Sequence, residues 1–355
     1  MMGDVIDWTL TERIAGMLAG EPEPQRGTPR PRLGEVAAES ERLVAAYAGL
    51  QAPAPLPEPE LLTRPEWVRA NLRSLRPTLE PLADRLGEGL GPATPIVRAA
   101  GGALLAAELG VVIGYLSRRV LGQYELVILD PEAPSRLLFV GPNLDEASAA
   151  FGADEDELLT WVALHEVTHA LQFAGVPWLR DHLAGLLREM LASLEVSIDP
   201  SRLLRLPSRE DLRSLVDTVA QGGFIELVTT PAQRETLDRV QATMAVLEGH
   251  AEHVMDAVGA ELVPSLPQLR AAMDRRRASA SAPARLLQRL LGLEMKMRQY
   301  QLGKAFCDGV VEREGVEALN RVWEAPGMIP TLAELEDPDS WLARTRVPSV
   351  TKSGA

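Results

Sequence analysis

The pattern His165-Glu166-Val167-Thr168-His169 constrains the fold of this chain more than any other feature. It lies in a run over residues 156–173 whose apolar spacing predicts a helix. Residues four apart share one helical face, so both imidazoles can reach one metal ion, and Glu166 can act as the base on a metal-bound water. The chain has five histidines in all. We therefore predict a metal site here, and the alternative is two histidines on a polar helix face.

The overall charge restricts the classes of partner. The chain has 355 residues, of which 46% are hydrophobic and 24% charged, and this composition is typical of a soluble globular protein. The formal net charge is −14. Because phosphate groups attract a basic surface, we expect neither a nucleic-acid partner nor an anionic membrane surface. The oligomeric state does not follow from the sequence.

Cysteine content and the apolar segments indicate a cytoplasmic protein. Cys307 is the single cysteine, so no intramolecular disulfide can form, and we expect this residue to be a small buried apolar side chain. The N-terminus has no basic and then apolar signal pattern. The stretch Ile96–Leu116 is apolar, but Glu108 lies near its middle, and a charge at that depth is costly in lipid. A buried helix is therefore expected.

The pattern of elements predicts an α+β fold that is predominantly helical. We expect an N-terminal helical segment with proline-rich linkers over residues 1–60, and the main domain over residues 61–355. Strands are predicted at Tyr124–Asp130 and Arg136–Val140, and they form a hairpin-like sheet before the motif helix. Such a strand edge offers backbone groups to an extended substrate. Helices are predicted over residues 7–18, 33–47, 66–86 (broken near Pro77 or Pro81), 94–120, 181–196, 209–219, 232–258, 266–277 and 284–314, with joints at Gly222-Gly223 and residues 279–283.

A catalytic zinc needs a third protein ligand and an open position. The extended motif with Gly three and His six residues after the second histidine is excluded, because Gln172 and Gly175 stand there. His182 has no motif around it. The segment over residues 247–256 offers Glu248 and Glu252 on one helical face, where one can bind metal and the other can fix a ligand imidazole through its second N–H.

This segment resembles the Glu-Gly-x-Ala-Glu helix of the gluzincins, the zincins with a glutamate ligand. The resemblance implies that Glu248 is the third ligand and that Glu252 is the carboxylate behind a ligand histidine. His250 and Glu252 remain rival ligands. Gly249 lies beside the implied ligand, and its lack of a side chain suits a crowded helix crossing.

Further motifs, among them Gly141–Asn143, Pro177–Arg180 and Lys296–Tyr300, extend over most of the chain. Together they resemble the type 2 zincin-like metallopeptidase family of actinobacteria, some of whose members are associated with biosynthesis of the deazaflavin coenzyme. The resemblance implies a zincin-like fold, bound Zn²⁺ and a hydrolase, and it implies no substrate. The early segments Ile6–Trp8 and Trp67–Asn71 favour the deazaflavin-associated subgroup. The motifs that carry the family resemblance are Leu121–Glu125, Gly141–Asn143, Trp161–His169, Gln172-Phe173, Pro177–Arg180, Leu247–Asp256, Lys296–Tyr300, Gly303, Trp323, Pro326 and Pro330-Thr331.

The expected reaction is hydrolysis of a peptide or amide. Glu166 would take a proton from a zinc-bound water, which attacks the carbonyl, and would then return the proton to the leaving amine. The developing oxyanion needs a further donor. The candidates are His250, His253, Arg298 and Tyr300, and we favour His253 or Tyr300. Two alternatives stay open: a zinc-stapled scaffold that binds a partner without catalysis, and a non-peptidase hydrolase of a small amide or ester.

Overall fold

The computed structural model describes residues 6–21, 30–89, 95–193, 230–278 and 293–346. It is mostly helical with one small sheet, so the predicted α+β, zincin-like fold is confirmed. Two 3₁₀ turns, Arg321–Trp323 and Pro326–Met328, lie near the end. The other elements are α1 (Trp8–Ala19), α2 (Arg30–Ala48), β1 (Pro59–Leu62), α3 (Arg64–Gly89), α4 (Pro95–Ser117), β2 (Gly122–Glu125), β3 (Arg136–Val140), α5 (Gly141–Phe151), α6 (Glu155–Gly175), α7 (Leu179–Ser193), α8 (Pro231–Leu262), α9 (Leu266–Ala278), α10 (Leu293–Glu314), α11 (Val316–Asn320), α12 (Leu332–Glu336) and α13 (Pro338–Thr345).

The sheet has the strand order β1-β3-β2, with β1 parallel and β2 antiparallel to β3. The predicted strand Arg136–Val140 is confirmed as β3. The prediction of a strand over Tyr124–Asp130 is wrong after Glu125, where β2 ends. The backbone turns there, and the Asp130 amide donates to the Val127 carbonyl at 3.2 Å. Arg180 on α7 also donates to that carbonyl, at 2.6 Å, so a distant side chain replaces a strand partner.

Strand β2 is fixed to helix α3 by the side chains on one of its faces. The Gln123 Oε1 atom accepts from Trp67 Nε1 at 2.7 Å, and its Nε2 atom donates to Asn71 Oδ1 at 3.0 Å. Further along, Glu125 accepts from Ser74 at 2.7 Å and from Arg136 at 3.1 Å. Because these partly buried polar groups are paired, the strand has one defined position.

Helix α3 runs without a break through Pro77 and Pro81, so the predicted interruption is wrong. Leu75 and Leu79 lie on either side of Pro77 and pack against neighbouring apolar clusters. Tertiary packing therefore holds the helix across two positions that lack a backbone donor.

Helix α6 lies in the main core, between α2 and α8. Asp154 begins it, since its side chain accepts from the amides of Asp156 and Glu157. Ala163, Leu164 and other apolar residues of α6 are fully buried. Helix α2, which precedes the predicted domain boundary at residue 60, packs into the same core. The boundary itself stays a prediction.

Helices α8 and α10 cross at very short range. A Cβ on Gly303 would lie 1.8 Å from the carbonyl oxygen of Ala245, and one on Gly249 would lie 2.1 Å from the carbonyl carbon of Gly303. The crowded crossing predicted from Gly249 is confirmed. It places the residue before Gly249, Glu248, at a fixed point on α8.

Several predictions concern parts of the chain outside the described residues. These are the helix over residues 209–219, the joints at Gly222-Gly223 and residues 279–283, and the first residues of the helix predicted from residue 284. Among the helices that the structure describes, none is both long enough and apolar enough to cross a membrane.

Candidate metal centre

Helices α6 and α8 bring three potential ligands to one point. The Nε2 atoms of His165 and His169 lie 3.2 Å apart. Glu248 Oε2 lies 3.7 Å from the first and 3.6 Å from the second. One ligand atom from each of the three residues falls within 4.8 Å of the others. The structure therefore groups the two histidines that the helical spacing predicted with Glu248, the ligand that the gluzincin resemblance implied.

The chemistry of these donors fits a zinc ion. Two imidazole nitrogens and one carboxylate oxygen form a common catalytic zinc set, and they also suit other divalent ions. The electrostatics favour a cation as well. Burial lowers the pKa of His169, but the charges of Glu248 and Glu166, with the hydrogen bonds to Glu248 and Gln172, together outweigh this effect and raise the pKa to about 9. The two carboxylates, Glu248 and Glu166, thus create a position where positive charge is stabilised.

Gln172 orients the ring of His169. Its Nε2 atom donates to the carbonyl of Leu247 at 3.0 Å, and this bond defines which end of the amide is the donor. The other end, Oε1, lies 2.9 Å from His169 Nδ1 and can only accept. The Nδ1 atom of His169 therefore carries a proton, and Nε2, on the side of Glu248, is the ring nitrogen left to bind a metal ion.

Sequence reasoning missed this role of Gln172. In the sequence, Gln172 excludes the extended histidine motif and is part of the family resemblance, but neither observation assigns it a contact. Its spacing of three residues after His169 places it on a neighbouring helical position and could have suggested the contact. The acceptor on α8, however, is known only from the fold.

His250 lies behind this contact and is not one of the three grouped ligands. Its Nδ1 atom is 3.0 Å from Gln172 Nε2 and accepts from it. Burial, with the nearby charges of His253 and His169, lowers the pKa of His250 to about 3, so the ring is neutral. Trp323 packs edge-on against it at 5.1 Å between ring centroids. His250 thus supports Gln172 rather than facing the ligand group.

Glu166 is buried beside the ligands and against strand β2. Its Oε2 atom accepts from the Tyr124 amide at 2.9 Å. Glycine is required at position 122 for Glu166 to lie this close to β2, because a Cβ there would be 2.6 Å from Glu166 Cγ. Burial raises the pKa of Glu166 to about 7, although His169 and the Tyr124 amide oppose the shift. A carboxyl group with a pKa near neutrality suits proton exchange near pH 7.

The edge of β2 that pairs with no other described strand faces the site. The Leu121 carbonyl accepts from Val140 at 2.9 Å, so by the antiparallel alternation Gln123 bonds to β3, while Gly122 and Tyr124 direct their backbone groups outward. The bond from Tyr124 to Glu166 agrees with this direction. The edge is thus next to the presumed base, as the order of strand and motif helix predicted.

A pocket of about 180 Å³ opens beside His165 and Glu166. Strand β2 and helices α6, α8 and α9 form its walls. Glu252 lines it, and Arg270 donates to the Glu252 carbonyl at 3.1 Å. The proposed role of Glu252 behind a ligand imidazole stays a prediction. A larger groove of about 740 Å³ lies between α2 and β1, and none of the three grouped ligands lines it.

The predicted oxyanion donors are placed as follows. His253 Nε2 lies 2.8 Å from the Tyr47 hydroxyl, and its Nδ1 lies 2.7 Å from Asp308 Oδ1. Both ring nitrogens are therefore engaged, and His253 would have to leave Tyr47 to donate elsewhere. Tyr300 and Arg298 lie on α10, but their side chains are outside the described residues. The roles of His253 and Tyr300 stay predictions.

Cys307 and His182 are not among the three grouped ligands, and each packs in another part of the structure. Cys307 is fully buried, and burial raises the pKa of its thiol, so the prediction of a small buried side chain is confirmed. His182 on α7 packs edge-on against Trp178, which immediately precedes this helix, with 5.6 Å between ring centroids.

The chain is similar to known proteins over nearly its whole length. Residues 6–342 match the model of the zincin-like metallopeptidase family. The chain belongs to this family. It is also similar to a crystal structure described as "a putative hydrolase with a novel fold" from Chloroflexus aurantiacus. That comparison has a TM-score of 0.69 and 30% sequence identity, and it covers 96% of this chain and 98% of the other. No curated protein matches this chain.

Proposed function

We propose that this member of the zincin-like family is a zinc-dependent hydrolase of peptide or amide bonds. The observation that carries the proposal is the meeting of His165, His169 and Glu248 beside the buried carboxyl of Glu166. In this assignment the first three residues hold the metal. When bound, zinc would supply Lewis acidity to a water molecule and to the substrate carbonyl.

Glu166 would then transfer the proton. Its carboxylate accepts a proton from the attacking water and later donates it to the nitrogen of the leaving amine. The Tyr124 amide and the packing of Gly122 hold this carboxylate in one position. A zinc site that only stabilises the fold needs ligands and no base beside them. The fixed carboxyl group of Glu166 therefore favours catalysis over the scaffold alternative.

Strand β2 would align the substrate. The Tyr124 amide donates to Glu166, but the amide and carbonyl of Gly122 and the carbonyl of Tyr124 point along the edge of this strand that faces the site, so an extended peptide can pair with them as an added strand. The edge is short, and this suits a short segment of substrate. We also propose that either His253, once it is released from Tyr47, or Tyr300 assists the oxyanion. The cytoplasmic location and the link to the deazaflavin coenzyme stay predictions.

The decisive experiment replaces Glu166 with Gln. Glu166→Gln should keep the zinc content of the wild type, because the side chain is not among the three ligands, and should lower peptide cleavage by at least about a hundredfold, the usual contribution of a general base. Metal analysis and cleavage of a mixed peptide library would be measured on the same samples. Glu155→Gln, an exposed change on the same helix, is the matched control. Unchanged turnover in Glu166→Gln would contradict the mechanism. A partner that co-purifies with a zinc-loaded protein unable to cleave any peptide would support the scaffold alternative.

A further inference from the structure

The pocket beside His165 and Glu166 determines which group of a substrate can lie next to the reacting bond. Both residues line it, and so does Gly122 on the free edge of β2. A peptide paired with this edge would therefore direct a side chain close to Gly122 into the pocket, since side chains alternate along an extended strand. This step rests on the function proposed above.

About half of the pocket wall is apolar, and the apolar residues come from four parts of the chain. Trp161 and Val162 contribute from α6, Leu121 from the residue before β2, Met255 from α8 and Met273 from α9. Two methionines on opposing helices give a surface that adapts to the shape of an apolar group. Burial of such a group here removes apolar surface from water on both sides.

The charges at the pocket are of both signs. Arg270 forms ion pairs with Asp256 and, at 3.7 Å, with Glu252. Arg119 also lines the pocket, and its guanidinium lies 3.9 Å from the ring centroid of Tyr115. A charged side chain of either sign in the pocket would meet both guanidinium groups and both carboxylates, Glu166 and Glu252, so attraction and repulsion oppose each other. Either charge would also lose its hydration, so both are disfavoured relative to an uncharged group.

The volume limits the size of that group. About 180 Å³ is well below the roughly 300–1,000 Å³ of pockets that hold drug-sized ligands. It corresponds to one side chain rather than to a cofactor or a folded segment.

We propose that this pocket receives one uncharged apolar side chain, of about the size of leucine or methionine, directly beside the bond that is cleaved. The substrate class is therefore a short peptide or an acylated amino-acid amide with an apolar residue at that position. A substitution at Met273 can narrow the pocket, because this residue lies on α9 and its side chain is only partly buried.

Binding tests the pocket without any need for turnover. Zinc-loaded Glu166→Gln protein, labelled with ¹³C at the methionine methyl groups, would be titrated with N-acetyl-leucinamide, N-acetyl-lysinamide and N-acetyl-aspartamide. The methyl signals of Met255 and Met273 should shift with the leucine ligand at concentrations about tenfold lower than with either charged ligand. Equal responses to all three ligands, or no response to leucine, would overturn the proposal.

A variant pair tests the size limit on the zinc-loaded protein. Met273→Trp fills the pocket and should lower kcat/KM for peptides with leucine at the cleaved bond by about tenfold relative to those with alanine, on the scale of one or two lost methylene contacts. Ala271→Trp adds the same ring at an exposed position of α9 and should leave the preference unchanged. Zinc content should be unaffected in both.

The two proposals fail in different ways. Cleavage with no preference for an apolar residue on either side of the bond would overturn the pocket assignment and leave hydrolysis intact. Selective leucine binding by a protein that cleaves no peptide or amide would support the pocket and remove the proposed function.

Discussion

Gln172 accepts a hydrogen bond from Nδ1 of His169, 2.9 Å away, and its own amide nitrogen donates to the carbonyl of Leu247. Leu247 immediately precedes Glu248, so one side chain connects a ligand on α6 to the turn of α8 that carries the third ligand. The contact lies in the buried core, where a hydrogen bond is not exchanged with water. Gln172 therefore positions two of the three presumed ligands relative to each other.

Replacement of Gln172 tests this relationship. Gln172→Ala removes the acceptor that fixes the His169 ring, and we expect zinc affinity to fall by about 10–100-fold, as for other residues that orient a metal-bound histidine. Competition with a chelator of known affinity measures the change. Gln268→Ala, the same substitution at an exposed position on α9, is the control. Equal zinc affinity in the two variants would mean that Gln172 only packs the helices together.

The third ligand can be tested by comparing the two carboxylates of α8. Glu248→Ala should abolish stoichiometric zinc binding, because two imidazoles alone do not complete the site. Glu252→Ala should retain a stoichiometry near one, since Glu252 is not in the group of three. Metal analysis after extensive dialysis gives both values. The opposite result for the two variants would transfer the ligand role to Glu252.

The crossing of α8 and α10 should tolerate no side chain at Gly303. Gly303→Ala would place a methyl group 1.8 Å from the Ala245 oxygen, and the helices must separate to relieve the overlap. We expect a loss of about 3 kcal/mol in the free energy of unfolding, at the upper end of typical overpacking. Urea denaturation measures it. Gly185→Ala on α7, where an added Cβ meets nothing within 4 Å, should instead be neutral or slightly stabilising. Similar stability of both variants would show that the crossing is loose.

The parts of the site that the sequence predicted are those defined by local spacing. His165, Glu166 and His169 follow from one helical turn, and the pair Glu248 and Glu252 follows from another. The relation between these turns does not, because Gln172 reaches Leu247 only once α6 and α8 have packed. Strand β2 ends at Glu125, before the predicted end at Asp130, and this difference also comes from a long-range contact.

Strand propensity continues past Glu125, but Arg180 satisfies the carbonyl groups of the turn from more than 50 positions away. The pocket also depends on four elements that are distant in sequence. Local periodicity therefore predicts ligands and helices, while the contacts that orient them arise from long-range packing.

Asp308 should make the stability of the protein sensitive to acid. Burial raises the pKa of its carboxyl group, but hydrogen bonds from His253 and Lys304 outweigh this effect and hold the pKa below its ordinary value. A depressed pKa in the folded state means that the carboxylate stabilises the fold at pH values above its unfolded pKa of about 3.9. This contribution is lost as the pH falls through the lower, folded value.

Asp308→Asn should therefore have a lower urea midpoint than the wild type at pH 7, and the difference should narrow as the pH is lowered below about 4. Glu336→Gln, an exposed acid on α12, controls for the change in net charge. Urea titrations at pH 7, 5 and 3.5 measure the difference for each variant. Only the charged carboxylate loses its contribution on protonation. A difference in urea midpoint between Asp308→Asn and the wild type that stays constant from pH 7 to 3.5 would therefore show that Asp308 stabilises α8 against α10 through packing or neutral hydrogen bonds.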